Sequence, residues 1–264
     1  MGAIRLNWFN LEARGRGEWF LRIPQCEDVA PVIDAAFPRL RHIGWRQVER
    51  HRCFTYYKDL TEDDKNRLEA FLVTLTNALI VRRSSHLAEH FTDELDGCYA
   101  LDFTYKILGI RTEVGALENR AKYHGDESAA AVLSQKIVAI VDAMPQLRET
   151  DLVGAVPSSS GEDPGALPVQ LASEVERHTG KTALRLGRAP GTPVKSLPLS
   201  KKIEALAGAF GPDRDVTDRE ILLVDDLCQS GTTLWAAARR LKAAGARRVY
   251  GLVCVKSWRD TDNL

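Results

Sequence analysis

The sequence predicts an α/β protein in which a central parallel sheet is flanked by helices, with a mostly helical region ahead of it. Three observations carry this expectation. From Asp151 onward, short apolar runs rich in β-formers alternate with amphipathic stretches, the pattern of right-handed βαβ crossovers. Ile221-Leu222-Leu223-Val224 is apolar at every position, as a strand buried on both faces of a parallel sheet must be. Ahead of it, Leu68, Phe71, Leu72, Leu75 and Leu79 recur at helical spacing.

Composition sets outer bounds. The chain has 264 residues, a formal net charge of zero and 44% hydrophobic residues, which suits one large domain or two small ones and excludes a basic nucleic-acid coat. No apolar run approaches the ~20 residues of a bilayer span, and the N-terminus lacks the apolar core of a secretory signal. No membrane partner is therefore expected, and a cytoplasmic location is. Five cysteines (Cys26, Cys53, Cys98, Cys228, Cys254) are scattered without a CxxC pair, which predicts reduced thiols and argues against a zinc ribbon or a disulfide framework.

Residues 1 to about 60 read as short strands and turns punctuated by Pro24, Pro31 and Pro38. Within them Arg39, Arg41, Arg46, Arg50 and Arg52 are interleaved with His42, Trp45 and His51. That mixture fits a nucleic-acid surface or a solvated basic face beside a small core. Thr61 followed by Glu62-Asp63-Asp64 marks a helix start. His86-Leu87-Ala88-Glu89-His90 matches a zinc pattern if it closes that helical stretch; the plainer reading is an ordinary helix end. A mixed apolar stretch spans Asp102 to Ile110, and a helix with Leu133, Ile137, Ile140 and Val141 on one side ends at Met144-Pro145. Leu152 to Val156 reads as a strand followed by a polar loop, Leu167 to His178 as a helix stopped by Gly180, and Thr182 to Leu186 as a strand. A Pro-rich basic segment at about 188–217 contains a short helix through Leu206 to Phe210. A final strand runs from Arg248 to Val255.

The most informative stretch is Ile221 to Leu234. An apolar strand leads to Asp225-Asp226, then Cys228-Gln229-Ser230-Gly231-Thr232-Thr233 opens an amphipathic helix with Gly245 as its stop. Free N–H groups at a helix start, approached closely past small residues, bind phosphate. Paired carboxylates beside them suit vicinal hydroxyls, or Mg²⁺ held by oxygen ligands. A ribose 5-phosphate bearing a metal-bound diphosphate at C1 offers all three.

This run resembles the PRPP-binding signature of the type I phosphoribosyltransferases (PRPP is 5-phospho-α-D-ribose 1-diphosphate). The resemblance implies that family's fold over residues 110–264, with a hood at about 188–217 and a separate region of uncertain fold at 1–109. It assigns Asp225 and Asp226 to the ribose hydroxyls and Cys228 to Thr233 to the 5-phosphate. Pro157, Ser158, Ser159, Ser160 and Gly161 become the diphosphate loop, and Lys195, Lys201 and Lys202 the hood cations. Gln229 stands where the family usually has Thr. A narrower likeness, to the ComF-like and amidophosphoribosyltransferase-like branch, rests on Ala121-Lys122-Tyr123-His124-Gly125-Asp126, Val156-Pro157, Gly187-Arg188 and Ala209-Phe210. That branch usually begins with a four-cysteine zinc ribbon, which this N-terminus lacks.

The implied activity is Mg²⁺-dependent transfer of phosphoribose between PRPP and a nitrogenous acceptor. The alternative is a PRPP- or nucleotide-sensing module whose N-terminal region meets nucleic acid or a protein partner. The sequence leaves the oligomeric state open, with a homodimer the form that parallel-sheet domains of this class often take.

Overall fold

The computed structural model describes residues 2–49, 51–92, 94–107, 109–157, 163–188 and 197–258. It opens with a two-residue strand, β1 (Ala3–Ile4), and an antiparallel pair, β2 (Asn10–Gly15) and β3 (Glu18–Pro24). Helix α1 (Cys26–Ala36) then leads to β4 (Arg46–Glu49) and β5 (Arg52–Tyr57). Alternation explains these strands: Leu21 and Ile23 are buried while Arg22 is exposed, and Cys53, Thr55 and Tyr57 are buried on the same inner face. Together they form a four-stranded sheet in the order β2-β3-β5-β4.

Next come α2 (Glu62–Asn77), β6 (Leu79–Val81), α3 (Ser85–Ala88) and β7 (Gly97–Phe103). Helices α4 (Glu113–His124), α5 (Glu127–Ala143) and α6 (Pro145–Arg148) follow. Helices α2, α4 and α5 begin on close side-chain caps, and α3 on a longer one from Ser84 Oγ, which accepts from Leu87 N at 3.3 Å. Thr61 Oγ1 accepts from Asp64 N at 3.1 Å, Thr112 Oγ1 from Gly115 N at 2.9 Å, and Asp126 Oδ1 from Ala129 N at 2.9 Å, each worth about 1 kcal/mol. The remaining elements are β8 (Leu152–Ala155), α7 (Leu167–Thr179), β9 (Thr182–Leu184), β10 (Leu186–Arg188) and α8 (Leu199–Leu206). They are followed by β11 (Phe210–Pro212), β12 (Glu220–Cys228), α9 (Thr232–Ala243) and β13 (Arg248–Lys256).

The main sheet runs β1-β6-β7-β13-β12-β8-β9. Its members from β7 to β9 are parallel, and β1 and β6 extend it antiparallel at one end. Side chains of β12 divide between its two faces. Leu222 and Val224 join the core under α2, α5 and α7, while Ile221 and Leu223 join the core under α9.

Several expectations change. The sheet takes β1, β6 and β7 from before residue 110, so it crosses the expected boundary, and the segment after residue 60 holds strands as well as a helix. Strand β7 begins at Gly97, and Cys98 to Leu101 are all buried because a core covers each face of the sheet, Tyr99 and Leu101 joining one and Cys98 and Ala100 the other. The β12 ladder continues to Cys228 opposite Lys256, so Asp225 and Asp226 lie within the strand instead of at its tip. The short helix expected through Phe210 ends at Leu206, because Phe210 pairs with Arg188 as β11. His86 and His90 share no helical face, since α3 is four residues long and ends at Ala88. Among the described residues no group of three His, Cys, Asp or Glu could hold a metal.

The cysteines divide as well. Cys26 and Cys53 form a disulfide with a Cα–Cα distance of 5.5 Å, because the start of α1 folds back onto β5. The expectation of reduced thiols thus fails for this pair; Cys98, Cys228 and Cys254 lie outside any disulfide and are buried. No helix among the described residues is long and apolar enough to cross a membrane.

One glycine sets the path of α4. A Cβ on Gly115 would lie 2.2 Å from the Thr104 carbonyl oxygen, so α4 passes the end of β7 at a distance only glycine permits. The same helix carries Glu118 and Lys122.

Candidate functional site

The carboxyl ends of parallel strands are where ligands bind in open α/β sheets. There, an open cleft of about 580 Å³ is lined by Asp225 and Asp226, the loop 227–231 and the first turn of α9. Its opposite walls include Lys122, Tyr123, Pro157, Arg188 and Lys202.

Asp226 is 6% exposed and ion-paired with Lys122, whose Nζ lies 2.7 Å from Oδ2. Lys122 also approaches Glu118 Oε1 at 4.0 Å, an oxygen without a hydrogen-bond partner. A carboxylate–ammonium–carboxylate row therefore leads from the core to the cleft wall. Asp225 accepts from Asp226 N at 2.8 Å. Burial, then the charge of adjacent Asp226, pushes the Asp225 carboxyl well above the usual carboxylate range. Burial likewise raises Glu118, against the pull of Lys122. For Lys122 burial opposes the charged form, but the Asp226 charge and hydrogen bond prevail and raise it. The chemical result is one strongly paired carboxylate, Asp226, beside a second, Asp225, that the same Lys122 charge reaches only as a lesser influence.

The loop next to the pair is built for close approach. Gly231 has φ of 89°, a left-handed value that glycine adopts without strain. A Cβ there would meet the Trp235 ring at 2.8 Å. Ser230 Oγ and Thr232 Oγ1 are 3.0 Å apart, and α9 begins at Thr232 with its first N–H groups at the cleft. Lys256 Nζ donates to the carbonyls of Gln229 and Ser257, both at 2.7 Å, bracing the loop from β13. Gln229 is exposed and Cys228 buried, so the thiol packs into the sheet while the amide faces solvent.

Of the expected diphosphate loop, Pro157 lines the cleft; Ser158, Ser159, Ser160 and Gly161 lie outside the described residues, as does Lys195. Lys202 is 3% exposed and faces the cleft. Lys201 points elsewhere, pairing with Glu204 at 3.0 Å. Arg188 adds a cation that residue typing did not single out. It donates to the Pro157 carbonyl at 3.4 Å and lies over the Phe210 ring, and burial lowers its pKa. Lys122, Glu118 and Lys256 were also missed as site residues. Lys256 carried a signal, being the one cation ending the apolar run Val249 to Val255.

Residues 189–260 match the family model of the phosphoribosyl transferase domain. A 36-residue stretch is 58% identical to a ribose-phosphate pyrophosphokinase of Haemophilus ducreyi, covering 14% of this chain and 11% of that protein. The chain thus matches about a tenth of that relative's length. Among solved structures, an orotate phosphoribosyltransferase from Aeropyrum pernix is 16% identical over 58% of this chain and 72% of its own, with a TM-score of 0.35. An adenine phosphoribosyltransferase from Thermoanaerobacter pseudethanolicus is 14% identical over 51% and 83%, with a TM-score of 0.34.

Proposed function

We propose that this chain is a phosphoribosyltransferase acting on PRPP and a nitrogenous acceptor, of the ComF-like, amidophosphoribosyltransferase-like kind. The observation that carries the reading is the adjacency, in one cleft, of the Asp225-Asp226 pair and the amide-rich start of α9, within a segment matched by the phosphoribosyl transferase domain. The α9 amides with Ser230, Thr232 and Thr233 would hold the 5-phosphate. Asp225 and Asp226 would accept hydrogen bonds from the ribose hydroxyls. Lys122 holds Asp226 in place through their ion pair, while Arg188 and Lys202 would offset the diphosphate charge. As the C1–O bond breaks, its electron pair leaves with the diphosphate. The acceptor nitrogen then bonds C1 and its proton passes to water. By holding these parts in line and keeping water from the ribosyl cation, the cleft would supply most of the acceleration.

Mg²⁺ suits these residues. Two carboxylates, with no third ligand among the described residues, match a cation that takes its other ligands from substrate oxygens, and Asp225 would gain a counter-ion of its own. Bound there with PRPP, the ion would serve as Lewis acid toward the leaving diphosphate. A cytoplasmic homodimer, with a chemical unit at 110–264 supported by strands from 1–109, completes the proposal.

Gln229, in the phosphate loop, favours a second reading, a PRPP sensor without turnover that reports to a nucleic-acid or protein partner. Calorimetric titration with PRPP, with and without Mg²⁺, separates the readings when paired with diphosphate release against bases and amines. Metal-dependent binding with acceptor-stimulated release is expected. Binding without release would favour the sensor, and absence of binding would refute both.

A further inference from the structure

The four-stranded sheet has two faces with different fates. Leu21, Ile23, Cys53 and Tyr57 point inward and belong to the main core. The outward face is aromatic and basic. Register sets Glu12, Phe20 and Tyr56 in one cross-strand row, and Asn10, Arg22, Phe54 and Arg46 in the next. Phe20 lies 5.4 Å from Phe54 and 5.0 Å from Tyr56 between ring centroids, and Phe54 meets Tyr56 edge-on at 5.8 Å. None of the three rings is among the residues of either hydrophobic core. Phe20 is 5% exposed because its two neighbours and the guanidiniums of Arg14 and Arg22, at 5.1 and 5.4 Å from its centroid, cover it. At the end of the face, Arg52 sits over the ring of Trp8, itself 36% exposed.

Charge on this face is lopsided in a chain whose 36 basic and 36 acidic residues cancel. By register Arg14, Arg22, Arg46 and Arg52 stand against Glu12, Glu18 and Glu49, and Glu12 is already bonded to Arg14 at 2.8 Å. The solvated face of an antiparallel sheet is normally polar, and β3 and β5, which carry these rings, are the two central strands. Rings on central strands with guanidiniums around them match what unpaired bases require. Every base has a face to stack on an aromatic ring, and its phosphate finds a cation within reach. A duplex keeps its base faces inside the stack and could use only the charges.

We propose that the outer face of this sheet, centred on Phe54 and Tyr56, binds single-stranded nucleic acid. The site is independent of the cleft, so its test needs neither PRPP nor turnover. Anisotropy of labelled oligothymidylate, oligouridylate and a duplex should be followed with the whole protein at rising salt. Single strands bind and the duplex binds less. Phe54→Ala and Tyr56→Ala each weaken single-strand binding about tenfold. Arg22→Ala and Arg46→Ala each flatten the logarithmic salt dependence by about 0.7. Because a ring variant could disturb the sheet, ultraviolet cross-linking of the unaltered protein gives a second readout, with the adduct expected on the peptide from Cys53 to Lys58. Equal duplex binding, affinity unchanged in both ring variants, an adduct elsewhere, or no binding at low salt would each overturn the proposal.

Discussion

At the scale of single residues, the carboxyls of the cleft set a pH dependence whose sign follows from their environment. Asp225 and Glu118 have pKa values raised above those of the unfolded chain, chiefly by burial. The folded state therefore holds their protons more tightly than the unfolded state does. Their stabilising contribution is complete below the ordinary carboxylate range and is lost as pH rises through the raised values. Asp225→Asn should raise the thermal midpoint at neutral pH and flatten this decline, while weakening PRPP binding in calorimetry. A variant melting like the parent at every pH would contradict the assignment. Lys122 works in the opposite sense. Lys122→Met leaves Asp226 buried beside Asp225 with no cation, and breaking such a pair costs about 3–5 kcal/mol. The lower end is expected, because the Lys122 side chain is 27% exposed, and denaturant unfolding measures it. The acidic pair was legible in the sequence because adjacent carboxylates after a buried strand are chemically conspicuous. Lys122 and Glu118 carried no such signal, since on a helix a charged pair four residues apart reads as solvated surface. Only the close passage of α4 brings them to Asp226.

At the scale of elements, that passage depends on Gly115, and the loop 227–231 depends on Gly231. Gly115→Ala places a methyl against backbone, which cannot yield by rotating a side chain. Helix α4 must shift, taking Lys122 with it. Gly231→Ala forces a left-handed residue costing about 1–2 kcal/mol and presses on Trp235. PRPP affinity should fall in both, with Gly115→Ala also lowering stability more than Gly231→Ala; equal melting curves for the two would argue against the α4 packing described. Strand β12 and helices α7 and α9 could be read from spacing alone because each combines an apolar pattern with a clear stop. The extension of β12 through Asp225 could not, since it is held by pairing with β13 up to Lys256, a partner distant in sequence. Strand β7 escaped for another reason: its run Cys98 to Leu101 has no β-branched residue, whereas β12 carries Ile221 and Val224.

At the scale of the whole molecule, the Cys26–Cys53 disulfide joins α1 to β5 across 27 residues. Closing a loop of that length stabilises by roughly 3–4 kcal/mol in the chain-entropy account. Reduction should lower the melting temperature of the parent and leave Cys26→Ser/Cys53→Ser unaffected; hydrogen exchange should place the loosening in β2 to β5. A parent insensitive to reductant would remove the bridge from the stability argument. The topology of the main sheet has an effect on synthesis. Strand β13 stands between β7 and β12, although every other strand of that sheet leaves the ribosome before it. The nascent chain must therefore carry two unfinished sheet halves, each with an open apolar edge prone to mispairing. Their closure awaits the last-made strand of the sheet, and a chain cut short before β13 would leave both halves open together.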